Sequence, residues 1–149
     1  MIEEVQVIPL ERIPDERGTI FHMLKSTDPY FQKFGEIYFS TVYLDAVKGW
    51  HLHRNMTLNY VCIWGHIKLV LFDDRRGSKT RGEIMELFLG PESYSLVIIP
   101  PNVWNGFKGM ASPYSIVANC ATLAHDPAQS ARLNPHKNKI PYDWSRKDG

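Results

Sequence analysis

The sequence predicts an all-β fold, a sandwich or barrel built from short strands. Gly and Pro, with 10 residues each among 149, divide the chain into short runs that are rich in β-branched and aromatic residues. Turn sequences such as Asp73-Asp74-Arg75-Arg76-Gly77 and Pro100-Pro101 follow these runs. No stretch carries a helical hydrophobic stripe longer than three turns. Regular short strands without long helices are typical of sandwiches and barrels.

Several runs have the length and composition of strands. They are Glu36–Leu44, Leu58–Phe72 with an interruption at Gly65, Ile84–Leu89, Tyr94–Ile99 and Tyr114–Thr122. The segment Asp28–Lys33 is expected to form a short helical turn. The length fits a single domain over residues 1–149. From about residue 130 the chain is polar and basic, and we expect it to form a C-terminal tail over the body of that domain.

Composition excludes several classes of protein. Lys and Arg number 17 and Asp and Glu 16, and this balance argues against nucleic-acid binding, which requires clustered positive charge. No apolar run approaches the roughly 20 residues that cross a bilayer. The acidic start lacks a signal-peptide pattern, and Cys62 and Cys120 lie in apolar surroundings, as buried reduced thiols do. We therefore expect a cytoplasmic protein without a membrane partner.

The densest group of polar and aromatic residues is Lys48-Gly49-Trp50-His51-Leu52-His53-Arg54. In a strand, residues two apart face the same side, so His51 and His53 should project together. Such a pair suits two ligands of one metal, or one base with a neighbour that tunes it. The plainer interpretation is a polar strand end that happens to carry two histidines.

The order of these features resembles the cupin double-stranded β-helix, a jelly-roll barrel. The matching features are the His-x-His strand, the Gly65 turn, a second strand and the Pro-Pro-x-x-Trp-Asn turn at 100–105. Metal-binding cupins also carry a Glu four or five residues after the second His, where this chain has Thr57 and Leu58. They carry a third His where Asn105 is the nearest polar residue. A catalytic metal normally needs three protein ligands, so we expect no metal or other cofactor; a metal cupin using the two histidines is an alternative.

Within the cupins, the chain resembles the dTDP-4-dehydrorhamnose 3,5-epimerases, which need no metal. Motifs of that family occur in order along most of the chain: Asp15-Glu16-Arg17-Gly18, Lys48-Gly49-Trp50-His51, Asp74-Arg75 with Ser78-Lys79-Thr80-Arg81-Gly82, Pro100 with Trp104-Asn105-Gly106-Phe107, and Ile140 with Trp144. The resemblance implies an isomerase that acts on a nucleotide-linked 4-keto-6-deoxyhexose in surface polysaccharide or deoxysugar biosynthesis. It also implies a homodimer in which N-terminal strands cross to the partner.

The resemblance implies roles for particular residues. His51 stands at the family's base, which removes a proton from a carbon beside the keto group. Arg17 matches a residue that meets the nucleotide diphosphate, a role that suits a bidentate guanidinium. Lys48 stands at a family arginine and offers one cation. Trp104, in a turn, is the best candidate for stacking on the nucleotide or sugar.

Other family positions are changed in this chain. The proton-donating tyrosine corresponds to Asn119, the enolate-binding lysine falls near Leu58 or Asn59, and the second-motif histidine is Asn105. The late loop that supplies a carboxylate to orient the base reads Asn-Pro-His-Lys at 134–137. Tyr38, Tyr43, Tyr60 and His53 are the available replacements.

These considerations predict His51 and His53 as catalytic residues. The predicted substrate-binding residues are Arg17, Lys48, Asn59, Trp104, Asn105 and Asn119. Because the acid and the enolate cation are changed, a non-catalytic cupin that binds a nucleotide sugar is one alternative. A sugar 3,4-ketoisomerase is another, since those cupins also resemble this chain at Gly-x-His-x-His.

Overall fold

The computed structural model describes residues 1–149 as an almost purely β structure. Its strands, in chain order, are β1 (Gln6–Pro9), β2 (Arg12–Asp15), β3 (Gly18–Phe21), β4 (Glu36–Tyr43), β5 (Val47–His53), β6 (Leu58–Trp64), β7 (Ile67–Asp73), β8 (Ile84–Leu89), β9 (Ser95–Ile99), β10 (Val103–Gly109), β11 (Tyr114–Ala121) and β12 (Ser130–Arg132). The one helical element is a 3₁₀ turn at Pro127–Gln129. None of the structure's helices has the length and apolar composition that crossing a membrane requires.

Two five-stranded antiparallel sheets form the body. Sheet 1 has the order β1-β9-β6-β11-β4, and sheet 2 has the order β12-β5-β10-β7-β8. Strands β2 and β3 form a separate hairpin. The two sheets face each other as a jelly-roll barrel, so the all-β prediction is confirmed. Because β4 and β5 follow each other in sequence but lie in different sheets, their inward side chains can meet in the barrel interior.

Alternation along the strands separates the interior from two outer faces. On β6, Leu58, Tyr60 and Cys62 belong to the main core, whereas Val61 belongs to a cluster on the other side of sheet 1. That outer cluster is covered by residues of the segment between β1 and β4. The outer face of sheet 2 is covered by the C-terminal segment, where Trp144 packs on Trp50 with ring centroids 5.1 Å apart.

Two details of the predicted organisation differ from the structure. Residues 130–132 are not tail: they form β12, which pairs with β5 at the edge of sheet 2. Asp28–Lys33 forms turns rather than a helix, although the backbone of Phe31 donates to that of Asp28 in one helix-like hydrogen bond. Both departures arise because edge pairing and packing onto sheet 1 decide the conformation of short segments with weak local preference.

The Ser-x-Thr motif after β7 has a structural role. Asp73, which is fully buried, accepts hydrogen bonds from Arg75, Ser78 and Thr80. Although burial opposes ionisation, these hydrogen bonds lower the pKa of Asp73. The backbone N–H of Glu3 donates to the Thr80 hydroxyl, and Arg75 donates to the Glu3 carbonyl. The cluster therefore fixes the N-terminus against the β7–β8 turn.

Candidate active site

A cavity of about 870 Å³ opens between the two sheets. Its walls come from inward positions of β4, β5, β6, β10 and β11, together with β12 and the residues that follow it. Gly49 and Gly106 allow β5 and β10 to approach closely at this point, since a Cβ at Gly49 would lie 2.9 Å from the Cα of Gly106. The glycines of two family-like motifs therefore bring the strands that carry His51 and Asn105 together.

His51 and His53 both line the cavity, as the alternation along β5 predicts. The Nε2 atom of His51 and the Nδ1 atom of His53 are buried and have no hydrogen-bond partner. Buried polar atoms are nearly always satisfied in folded proteins. Both ring nitrogens on this cavity wall are therefore available to hydrogen-bond a bound molecule.

The surroundings of both imidazoles favour the neutral form. Burial, then the positive charge of Arg132 and then His53 lower the pKa of His51 to about 4. Burial also lowers the pKa of His53, with a contribution from His125, while Glu36 opposes the change. A neutral imidazole can accept a proton, so His51 is in the state that a general base requires at pH 7. No hydrogen bond joins the His51 ring to a carboxylate, as the changed late loop predicts.

Two separate groups of hydrogen bonds hold the cavity residues, one within sheet 1 and one between the two sheets. Asn119 lies directly opposite Tyr38 across the β11–β4 pair, and its Nδ2 donates to the Tyr38 hydroxyl at 3.0 Å. The Tyr60 hydroxyl donates to Oδ1 of Asn105 at 3.3 Å. Asn105 in turn donates from Nδ2 to the backbone carbonyl of His51 at 3.2 Å. Asn105 thus holds the strand segment that carries His51.

Two cationic side chains line the same cavity. Lys48 donates to the Ser40 hydroxyl at 2.8 Å. Arg132 lies opposite His51 in the β12–β5 pair. Guanidinium and ammonium groups stabilise phosphates and developing oxyanions. The cavity can therefore bind an anionic ligand beside two neutral imidazoles.

Three predicted substrate-binding residues lie outside this cavity. Arg17 lies in the turn of the β2–β3 hairpin, pairs with Asp15 at 2.6 Å and has an 87% exposed side chain. The Asn59 amide donates to the Cys120 carbonyl, a contact that leaves it buried in sheet 1. Trp104 lies in β10 rather than in the expected turn, and it packs with Trp50 in the cluster on the outer face of sheet 2. Trp104 faces outward because its neighbour Asn105 faces inward, and adjacent strand residues alternate.

Of the predicted residues, the structure brings His51, His53, Lys48, Asn105 and Asn119 together in one cavity. Sequence reasoning missed two further lining residues, Glu36 and Arg132. It also missed the pairing of Tyr38 with Asn119. Alternation along β4 could have placed Glu36 and Tyr38 on one face. Nothing in the sequence pattern marks residues 130–132 as a strand, so the position of Arg132 could not have been found.

The donor geometry of the cavity bears on metal binding. His53 and His125 lie with ring centroids 6.2 Å apart. No group of three His, Cys, Asp or Glu side chains converges closely enough to hold a metal ion. The structure offers two or fewer such donors at any point, and structural and catalytic zinc sites use at least three protein ligands.

Comparison with known proteins identifies the family. The sequence profile of the dTDP-4-dehydrorhamnose 3,5-epimerase family matches residues 1–149. The crystal structure of a dTDP sugar isomerase from Desulfovibrio desulfuricans G20 has 39% sequence identity and a TM-score of 0.94, and the match covers 99% of this chain and 94% of that chain.

Two curated proteins are similar over nearly the whole chain. The "Probable low-salt glycan biosynthesis epimerase Agl13" of Haloferax volcanii is 30% identical over 144 residues, which are 95% of this chain and 89% of that protein. The spore coat polysaccharide biosynthesis protein SpsL of Bacillus subtilis is 27% identical over 143 residues, which are 96% of this chain and 91% of that protein.

These matches confirm the resemblance, the cupin jelly-roll fold and the prediction of an isomerase for a nucleotide-linked keto-deoxysugar. The chain belongs to the dTDP-4-dehydrorhamnose 3,5-epimerase family.

Proposed function

We propose that this cavity epimerises a carbon beside the C4 ketone of a nucleotide-linked 4-keto-6-deoxyhexose, with His51 as the general base. The observation that carries the proposal is the position of His51 in the cavity, where its Nε2 is buried without a partner and burial lowers the pKa of the ring. A ketone acidifies the C–H bonds on either side of it, so a neutral imidazole held against C3 or C5 can form the enolate.

Cations in the cavity support the same reaction. The enolate carries its negative charge on the C4 oxygen, and preorganised cations or hydrogen-bond donors stabilise such a charge more effectively than water does. Arg132 and Lys48 are the cationic side chains of the cavity. They replace the lysine of the family pattern, which corresponds here to Leu58 or Asn59. Asn105 and Asn119 provide amide groups in the same space.

The direct test of this function is solvent exchange. The enzyme is incubated in D₂O with dTDP-4-keto-6-deoxyglucose, and NMR follows deuterium at C3 and C5 together with the configuration of each carbon. We expect deuterium at one or both carbons and formation of an epimer. Absence of deuterium at both carbons, under conditions where the sugar nucleotide binds, would instead support a non-catalytic nucleotide-sugar-binding cupin.

One observation favours a second reaction, 3,4-ketoisomerisation. His51 and His53 present two neutral, unpartnered rings to the same space. Moving the ketone from C4 to C3 requires removal of one proton from C3 and one from the C3 hydroxyl, and delivery of one proton to the C4 oxygen and one to C4. Two adjacent imidazoles can perform these transfers. In the exchange experiment this reaction is recognised by a C3 ketone rather than by an epimer.

We further propose that the enzyme works as a homodimer in the cytoplasm. The outer face of β4 exposes Ile37 and Phe39, and Phe39 is 64% accessible. The β2–β3 hairpin likewise exposes Ile13 and Ile20 and places Arg17 outside the chain's own cavity. A partner that covers these apolar side chains would receive Arg17 near its own nucleotide site. Both cysteines are free and buried, as expected in a reducing compartment.

The dimer proposal is tested by light scattering after gel filtration. The wild-type protein should elute at twice the chain mass, and Phe39→Glu should shift it towards the monomer because a charge would be buried in the interface. A wild-type monomer at micromolar concentration would contradict the proposal.

A further inference from the structure

Asn119 and Tyr38 occupy opposite positions in the β11–β4 pair. In the family pattern, the position of Asn119 carries the tyrosine that donates a proton. In this chain a tyrosine stands on the neighbouring strand, directly across from that position. A phenol hydroxyl is therefore present in the same part of the cavity but is carried by β4 instead of β11.

The hydrogen bonds determine which way the Tyr38 proton points. The side-chain oxygen of Asn119 accepts the backbone N–H of Asn59 at 3.1 Å. This contact fixes the amide, so that its Nδ2 end faces Tyr38 and donates to the hydroxyl oxygen at 3.0 Å. The amide NH₂ group can donate hydrogen bonds but cannot accept one. The hydroxyl of Tyr38 therefore acts as an acceptor towards Asn119 and keeps its own proton for another partner.

Tyr38 is open to the cavity and faces it from the wall that does not carry the base. Its side chain is 41% exposed and lies on β4 of sheet 1, whereas His51 lies on β5 of sheet 2. Inversion of a carbon requires a proton to leave one face of the enolate and another to arrive at the opposite face. A base and an acid on opposite walls satisfy that requirement.

The other tyrosines near the site do not fit this role. Tyr60 is buried and donates its proton to Asn105. Burial, followed by the neighbouring Tyr38, raises the pKa of Tyr60 well above its ordinary value, so Tyr60 holds its proton firmly. Tyr43 is 70% exposed and does not line the cavity.

We propose that Tyr38 is the proton donor of the epimerisation and that Asn119 is the positioning residue that holds its hydroxyl. This inference rests on the proposed function of His51. His51 takes a proton from the sugar carbon, and the C–H electron pair forms the enolate with the C4 oxygen. The enolate electron pair then takes the Tyr38 proton on the opposite face, which restores the ketone and leaves a phenolate. Solvent returns a proton to Tyr38 and removes the one held by His51.

The test compares wash-in of solvent deuterium with formation of the epimer. In Tyr38→Phe, His51 can still remove a proton and return deuterium from its own side, so wash-in into the recovered substrate should continue. Epimer formation should fall by about 10²–10³-fold, the scale for losing a general acid. The matched control is Tyr94→Phe, which removes a phenol hydroxyl from the outer cluster of sheet 1 and should leave both rates unchanged.

The two proposals fail in different ways. If His51 is not the base, wash-in persists in His51→Asn, and the function itself is wrong. If Tyr38→Phe forms the epimer within about threefold of the wild-type rate, the proton donor is another group. Equal loss of wash-in and epimer in Tyr38→Phe, with a native thermal melt, would also overturn the assignment, because Tyr38 would then shape the cavity or bind substrate.

A second variant tests the role of Asn119, and it can refute the proposal even if Tyr38→Phe folds poorly. Asn119→Ala frees the Tyr38 hydroxyl, and we expect kcat for epimerisation to fall by about tenfold or more with little change in KM. An Asn119→Ala variant that forms the epimer within about threefold of the wild-type kcat contradicts the positioning of the Tyr38 hydroxyl by Asn119.

Discussion

The low pKa of His51 leads to a pH dependence that differs clearly from that of an ordinary histidine. The ring must be neutral to act as a base, and its pKa is lowered from 6.5 to about 4. That difference corresponds to about 3 kcal/mol of preference for the neutral ring. At pH 5.5 an ordinary histidine is about 9% neutral, whereas a ring with a pKa near 4 is about 97% neutral.

The assay is the rate of deuterium wash-in as kcat/KM against pH, which reports the free enzyme. The rate should stay level from pH 7 to about pH 5 and fall only as the pH approaches 4. At pH 5.5 it should exceed the rate expected for an ordinary histidine by about tenfold. An acid limb centred between pH 6 and 7 would refute the reasoning from burial and charge.

Arg132 tests the cause of this shift separately. Its charge is the second contribution to the low pKa of His51, after burial. Arg132→Gln should therefore move the acid limb towards higher pH, whatever it does to the absolute rate. NMR titration of the His51 ring in the free protein measures the same pKa without substrate. An unchanged pKa of His51 in Arg132→Gln would show that the charge of Arg132 does not contribute to the low pKa.

Three further predictions concern the scaffold and the absence of a cofactor. Asp73→Ala should lower the free energy of unfolding by about 3 kcal/mol, because it leaves the Arg75 charge without its buried partner; denaturant unfolding measures this, and a change below about 1 kcal/mol contradicts it. Trp144→Ala should lower the free energy of unfolding by about 3–5 kcal/mol, because it removes the side chain that packs on Trp50 next to His51. A melting temperature within 2 °C of wild type would be inconsistent with that packing. Prolonged treatment with EDTA should leave the deuterium exchange rate unchanged, and tightly held stoichiometric zinc, iron or nickel in untagged protein would contradict this expectation.

The fold could be predicted because its signals are local. Short apolar runs ended by Gly and Pro turns define β4, β6, β7, β8, β9 and β11 within a residue or two. Two strands of sheet 2 that sequence reasoning missed are the edge strand β12, which has no hydrophobic pattern, and the central strand β10, whose first residues it assigned to a turn. Their conformation is set by pairing with β5, which is a long-range contact.

The site could be predicted only in part for a similar reason. The His51-x-His53 pair shows its common face through strand alternation alone. Trp104 could not be assigned, because the sequence does not show which side of β10 faces the cavity. The pairing of Tyr38 with Asn119 depends on strand register across 81 residues of separation. A motif comparison therefore shows that the family's tyrosine is missing at position 119. Only the fold shows that Tyr38 lies beside that position.

The central claim is that His51 removes a proton from the sugar, and one comparison tests it most directly. Wild-type protein and His51→Asn are incubated with dTDP-4-keto-6-deoxyglucose in D₂O at pH 7, and binding of the same sugar nucleotide is measured by calorimetry. The account predicts that His51→Asn binds nearly as tightly as wild type and exchanges deuterium at C3 or C5 about 10²–10⁴-fold more slowly. Exchange at the wild-type rate in His51→Asn would contradict it.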